Sequence, residues 1–185
     1  PNAYGLLAEI LWTVGDPEAI DAAKQSLIFA DAEDAPCTAA RIQVARILHQ
    51  IGDATAESVL PAPEAVPNDA ISDPPAQLAG LRARIVAAND PRGAQDLASW
   101  ALARPEPTLS LWGARIAIDC AAALTTAGQP DAARNAAKRG LRMVQGTGAD
   151  VLRMELMVVM YQAREDVRIL DALGKLLPRI VRNLP

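Results

Sequence analysis

The sequence predicts an all-α protein assembled from antiparallel helix pairs, and three observations carry that expectation. Of its 185 residues, 38 are Ala, and only 3% are aromatic although 51% are hydrophobic. Alanine has the best helix propensity and lets backbones approach closely, whereas sheets favour the β-branched and aromatic side chains that are thin here. Apolar residues recur at spacings of three and four, as in Leu7, Leu11 and Val14 and again in Ile20, Ala23 and Leu27. Most telling is a repeat. Ile10-Leu11-Trp12-Thr13-Val14-Gly15-Asp16 returns 37 residues later as Ile47-Leu48-His49-Gln50-Ile51-Gly52-Asp53.

Further helix ends continue the series at intervals of 36 to 39 residues: Ile85–Asp90, Ala123–Gln129 and Val159–Glu165. Glycine at 15, 52 and 128 suits the left-handed residue that closes a helix. Asp16, Asp53, Asp90 and Asp150 can cap the next helix, and Pro17, Pro91 and Pro130 fit its first turn. The expected helices are therefore 3–14 with 17–30, 37–51 with 54–60, 76–89 with 91–103, 109–126 with 130–144, and 150–163 with 166–183. One pair cannot bury its own apolar face, so successive pairs must stack.

Pro61, Pro63, Pro67, Pro74 and Pro75 interrupt the series, because proline neither sits inside a helix nor donates to a ladder. The chain accordingly reads as an acidic helical segment at 1–60, a Pro-rich linker or ordered loop at 61–75, and a helical-repeat module at 76–185. Pro178 is expected to break or kink the last helix. Charge divides along similar lines. Residues 1–75 carry 3 basic and 12 acidic side chains, while 76–185 carry 15 basic and 10 acidic. This reads as two differently solvated surfaces, or as two sub-modules with different partners.

The composition excludes several functions. A net charge of −4 gives no general attraction for nucleic acid. No apolar run reaches the length that spans a bilayer, so no membrane contact is expected and a cytoplasmic setting is. The chain begins at Pro1 rather than Met, as expected of a segment of a longer protein. The single histidine, His49, cannot build a multi-His metal site and reads as a packing or surface residue. Cys37 and Cys120 are far apart in Ala-rich contexts and read as small buried thiols with no base to activate them. Neither a metal nor a cofactor is expected.

The remaining polar groups have structural readings. Gly146-Thr147-Gly148 lacks the preceding strand and following Lys-Ser/Thr of a phosphate loop, so it reads as a flexible connection. Glu33-Asp34 and Glu165-Asp166 complement helix starts. Met154, Met157 and Met160 fall at helical spacing and are expected in the core, with a Met-lined adaptable groove as the alternative. Trp12, Trp100 and Trp112 are expected to anchor helix packing. One surface feature stands out. Arg134, Lys138 and Arg142, with Arg139 beside them, form a basic ridge on one helix. It is the candidate site for an acidic partner, or for the acidic segment of the same chain.

Ala8, Trp12, Gly15-Asp16, Ala19-Ile20 and Leu27 resemble the order of small, large and turn residues in a tetratricopeptide repeat, although 36 to 39 residues exceeds that family's period. Over 109–177, Trp112, Arg115, Asp119, Ala121, Leu124, Gly128, Ala132-Ala133, Arg139-Gly140-Leu141, Leu152, Leu156-Met157, Tyr161, Val167 and Leu173 resemble the bacterial transcriptional activator domain of actinobacterial regulators. The bias of 15 Arg to 3 Lys fits such a source. Gly146-Thr147-Gly148 departs from the Asp-Pro or Ser-Pro usual there. The resemblance implies a tetratricopeptide-like right-handed superhelix that binds a protein or peptide, or self-associates, without catalysis. It also raises a degenerate winged helix over 37–60, which two arginines in an acidic segment support poorly.

The expected function is a non-enzymatic interaction or regulatory module of a bacterial transcription-regulator-like or scaffolding protein. The alternatives are a ligand-sensing or dimerising effector domain, a structural assembly subunit, and an all-α enzyme with a pocket between the halves.

Overall fold

Helix boundaries follow the punctuation chemistry. The structure, a computed structural model, describes residues 7, 8, 11, 16, 18–32, 38–68 and 70–182. Among these, the chain forms eight α-helices and no strand, so the all-α class holds. The chain divides into two compact units, Pro1–Asn68 and Asp69–Pro185. Trp12, Gly15, Pro17 and Cys37, and most of the expected helix 3–14, lie outside the described residues.

In the first unit, α1 (Glu18–Ala32) packs against α2 (Thr38–Gln50), which buries Ile42, Val44, Ala45, Ile47 and Leu48. The expected helix 54–60 is instead one 3-10 turn, Ala54–Ala56. The Asp53 carboxylate accepts from the Thr55 N–H at 2.8 Å and its hydroxyl at 2.7 Å. Ser58 then donates back to the Thr55 carbonyl, and the approach to Pro61 disfavours further helical backbone. A second 3-10 turn, Pro63–Ala65, comes next.

The second unit contains α3 (Pro74–Val86), α4 (Pro91–Ala103), α5 (Ser110–Thr126), α6 (Pro130–Met143), α7 (Asp150–Ala163) and α8 (Val167–Arg182). Pro74 and Pro75 open α3 rather than belonging to the loop, because Asp73 caps the helix by accepting from the Ala76 N–H at 3.2 Å. Asp90 caps α4 likewise through Gly93. Asp150 is not a cap. It is the first residue of α7, and Thr147 holds the loop before it, donating to the Val144 carbonyl and accepting from Ala149 N–H. Gly146 and Gly148 on either side of Thr147 take φ of 77° and 73°. The last helix continues through Pro178 to Arg182.

The repeat is visible in backbone bonds. The amide of Asp16 bonds the Leu11 carbonyl, Asp53 that of Leu48, and Gln129 that of Leu124, each five residues back and each at 2.8 Å. Gly52 and Gly128 take φ of 77° and 73° at the last two of these turns, the left-handed conformation that closes a helix. The stacking rule is regular too. α5 packs on both α3 and α4, and α7 packs on both α5 and α6.

The core is built from small residues. Ala79, Ala83, Ala94, Ala98, Ala114, Ala117, Ala121, Ala133 and Ala137 are all at or near zero exposure. A methyl added at Gly140 of α6 would lie 2.6 Å from Leu156 Cδ2 and 2.9 Å from Ala117 Cβ. Met157 and Met160 join the core and Met154 packs at its edge. Trp100 does not anchor packing. It is exposed, with the Arg104 guanidinium 4.9 Å from its ring centroid; Trp112 is half-buried. Among the described residues, no helix is long and apolar enough to cross a membrane.

Gly140→Ala should destabilise the protein, since the new methyl meets two neighbours inside normal contact distance. Overpacking of this kind costs about 1–3 kcal/mol. The helix-propensity gain of about 1 kcal/mol does not offset it fully. Urea denaturation should show a lower midpoint with an unchanged slope.

Candidate partner-binding cleft

Three segments of the second unit converge on one cleft of about 560 Å³. The end of α6 and the turn after it contribute Leu141, Arg142, Gln145 and Gly146. α7 contributes Arg153, Met157 and Met160, which repeat at four and three and so share a face. The first turns of α8 contribute Arg168, Ile169 and Ala172. Both α6 and α8 pack against α7. Leu141, Met157, Met160 and Ile169 make the lining apolar, and the two methionines supply adaptable, polarisable surface.

The polar lining is cationic. Arg142, Arg153 and Arg168 are all exposed, and no carboxylate lines the cleft. Arg168 is held by Asp166, its Nε donating to Oδ1 at 3.2 Å and its Nη2 to Oδ2 at 3.3 Å. Asp166 also accepts from the Arg168 backbone N–H at 3.1 Å, which caps α8. The Arg168 guanidinium first, then its backbone N–H and more remotely Arg134, hold the Asp166 carboxyl below the usual carboxylate range. The side chains of Arg142 and Arg153 have no hydrogen-bonding or ion-pair partner among the described residues. Two guanidinium groups without a neutralising carboxylate beside apolar surface have the chemistry to pair with a carboxylate on an apolar body.

The four basic residues expected to form a ridge on α6 have different neighbours. Arg142 faces the cleft. Arg134 turns toward Asp166, with Nη2 3.9 Å from Oδ2. Arg139 reaches the other way, its Nε donating to Glu106 at 3.0 Å and its guanidinium to the Leu102 and Arg104 carbonyls at the end of α4. Lys138 is exposed. Sequence reasoning missed Arg153, Arg168 and Ile169. The face shared by Arg153, Met157 and Met160 was readable, but its convergence with α6 and α8 was not.

Other reactive groups lie elsewhere. Cys120 is fully buried, and burial first, then Asp119, pushes its thiol far above the usual range. His49 is half-buried near the end of α2. Among the described residues no group of three or more His, Cys, Asp or Glu could hold a metal ion. No protein-family model, curated protein or solved structure matches the chain.

Arg168→Gln removes the main cause of the depressed Asp166 acidity, so the carboxyl should return toward the ordinary Asp value of about 3.9. In the parent chain the ionised form is favoured by folding. Its stabilisation is present above that ordinary value and lost as pH falls through the lower folded value. Side-chain carboxyl NMR should record an Asp166 midpoint that rises in Arg168→Gln; an unchanged midpoint would assign the shift to the backbone cap instead.

Proposed function

We propose that the chain is a non-enzymatic protein–protein interaction module of a bacterial, actinobacterial regulatory or scaffolding protein, and that its cleft receives an acidic peptide segment. The single observation that carries this reading is the apolar cleft bordered by Arg142, Arg153 and Arg168 without an acidic lining residue. A partner contributes two or three apolar side chains to the methionine floor, and carboxylates to the rim. Arg153 to Met160 spans two turns of α7, or about 10 Å, the length over which a short helix presents anchors at i, i+3 and i+7. Exposed rim charges steer and orient such a segment, while the apolar contacts retain it.

The stacking of α5 on both α3 and α4, repeated by α7 on α5 and α6, supports a tetratricopeptide-like right-handed superhelix. The resemblance over 109–177 and the Arg-over-Lys bias support a regulator of actinobacterial type. In this reading the module works by capture alone and needs no cofactor.

Fluorescence anisotropy with a labelled helical peptide, carrying Leu at i, i+3 and i+7 and Glu between them, tests the reading. Binding should weaken several-fold when salt rises to physiological strength, where exposed charges are screened within about 8 Å. Arg142→Glu with Arg153→Glu should abolish it while leaving the helical circular dichroism unchanged, since both side chains are exposed. Equal binding by a peptide with Gln in place of Glu, or by the double variant, would overturn the acidic-partner reading.

A further inference from the structure

Three residues, 164–166, connect α7 to α8, and the last of them is paired to both sides of the cleft. Arg168 on the α8 side gives the Asp166 carboxylate two donors, Nε 3.2 Å from Oδ1 and Nη2 3.3 Å from Oδ2. Arg134 on the α6 side brings its Nη2 to 3.9 Å from the same Oδ2. It stands seven residues before the cleft residue Leu141 and so shares its face of α6. One carboxylate thereby sits between guanidinium groups from two helices. The side chains of Asp166 and Arg134 are each 19% exposed, whereas that of Arg168 is 90% exposed.

Asp166 offers these two arginines what an acidic partner would offer them. It occupies the Nε and Nη2 edge of Arg168, a pair of donors suited to the two oxygens of one carboxylate. The hold is weak. An ion pair this open to water contributes little, and the Arg134 contact exceeds hydrogen-bond length. Losing the guanidinium would not undo the start of α8, because Asp166 caps that helix through the Arg168 backbone N–H at 3.1 Å. The Arg168 side chain can therefore change carboxylates while the helix stays in place.

We infer, resting on the acidic-peptide reading of the cleft, that Asp166 is an internal competitor for that peptide: a latch that holds Arg134 and Arg168 until a peptide carboxylate takes its place. Arg142 and Arg153, whose side chains have no such partner among the described residues, engage the peptide first. Arg168 joins only when an incoming carboxylate displaces Asp166. Each contact that Arg168 gains replaces one that Asp166 loses. The latch therefore keeps the cleft below the affinity for an acidic segment that its arginines would otherwise give.

Asp166→Asn removes the charge and keeps an effective helix cap, since Asn and Asp rank together at that position. In the anisotropy titration with the Glu-bearing helical peptide it should tighten binding about fivefold, a gain within the range of exposed ion pairs. Asp166→Ser, a second uncharged cap, should give the same gain. Glu165→Gln makes the same change of net charge one residue earlier, at an exposed side chain with no ion-pair partner among the described residues. It should alter binding less than about twofold, because a screened charge without a specific contact has little effect. With Arg134→Gln and Arg168→Gln both present, Asp166→Asn should no longer tighten binding. Equal gains from Asp166→Asn and Glu165→Gln would reduce the effect to net charge. Weaker binding by Asp166→Asn would make Asp166 a residue that positions Arg168 for the peptide. Either result overturns the latch, as does a gain that persists without the two arginines, and all three leave the acidic-partner reading standing. A parent chain that binds the Glu and Gln peptides equally overturns both.

Discussion

Close approach of helices to α5 is the constraint on which the second unit depends. From Gly113 to Leu124 this helix is buried over most of its surface, and α3, α4, α6 and α7 all pack on it. Only small side chains permit that many neighbours around one axis. Gly140 and Ala117 let α6 approach to contact distance, and Gly80 of α3 leaves room for the Cys120 thiol. Alanine buries little area per residue, so the unit gains its apolar burial from the number of close contacts rather than from bulk. Polar ties then fix register. Asp119, fully buried on α5, accepts from Arg84 of α3 at 3.0 Å, and Arg115 of α5 donates to Glu155 of α7 at 2.7 Å. A buried carboxylate without such a partner would be strongly unfavourable, so the Arg84 pairing restricts how α3 can slide on α5.

Local chemistry made the helices legible. Gly52 and Gly128 close helices, Asp53 and Asp90 cap the turn or helix after them, and Pro91 and Pro130 occupy first turns. Each of these effects acts within a few residues, so each can be read from a short stretch of chain. The misreadings arose where tertiary context decides. Asp73 draws Pro74 and Pro75 into α3 while its carboxylate also accepts from Arg104 Nε at 2.8 Å, a partner 31 residues away. Pro178 lacks an N–H to donate, yet Leu173 and Leu176 before it and Ile180 after it pack on the core and hold the helix together across it. Trp100 is an aromatic spent on the surface beneath Arg104.

The candidate site was legible only as ingredients. Arg142 belonged to the expected ridge and the methionines to an expected stripe, but the cleft exists because three segments meet. Helical spacing places Arg134, Lys138 and Arg142 on one face without saying what the neighbouring helices offer each of them. Glu106 and the carbonyls ending α4 claim Arg139, Asp166 draws Arg134, and Arg142 is left at the cleft. Neighbouring acceptors, rather than spacing along α6, decide which cations remain available.

These relationships converge on α8, which divides its surface three ways. Ile169, Leu173 and Leu176 hold it to the core, Arg168 and Ala172 border the cleft, and Val167, Leu170, Leu177 and Val181 stand on the remaining apolar quarter. Neighbouring turns of one helix thus serve the core and the cleft at once, so the placement of Arg168 and Ala172 at the cleft is set by how Ile169, Leu173 and Leu176 seat α8 on the unit.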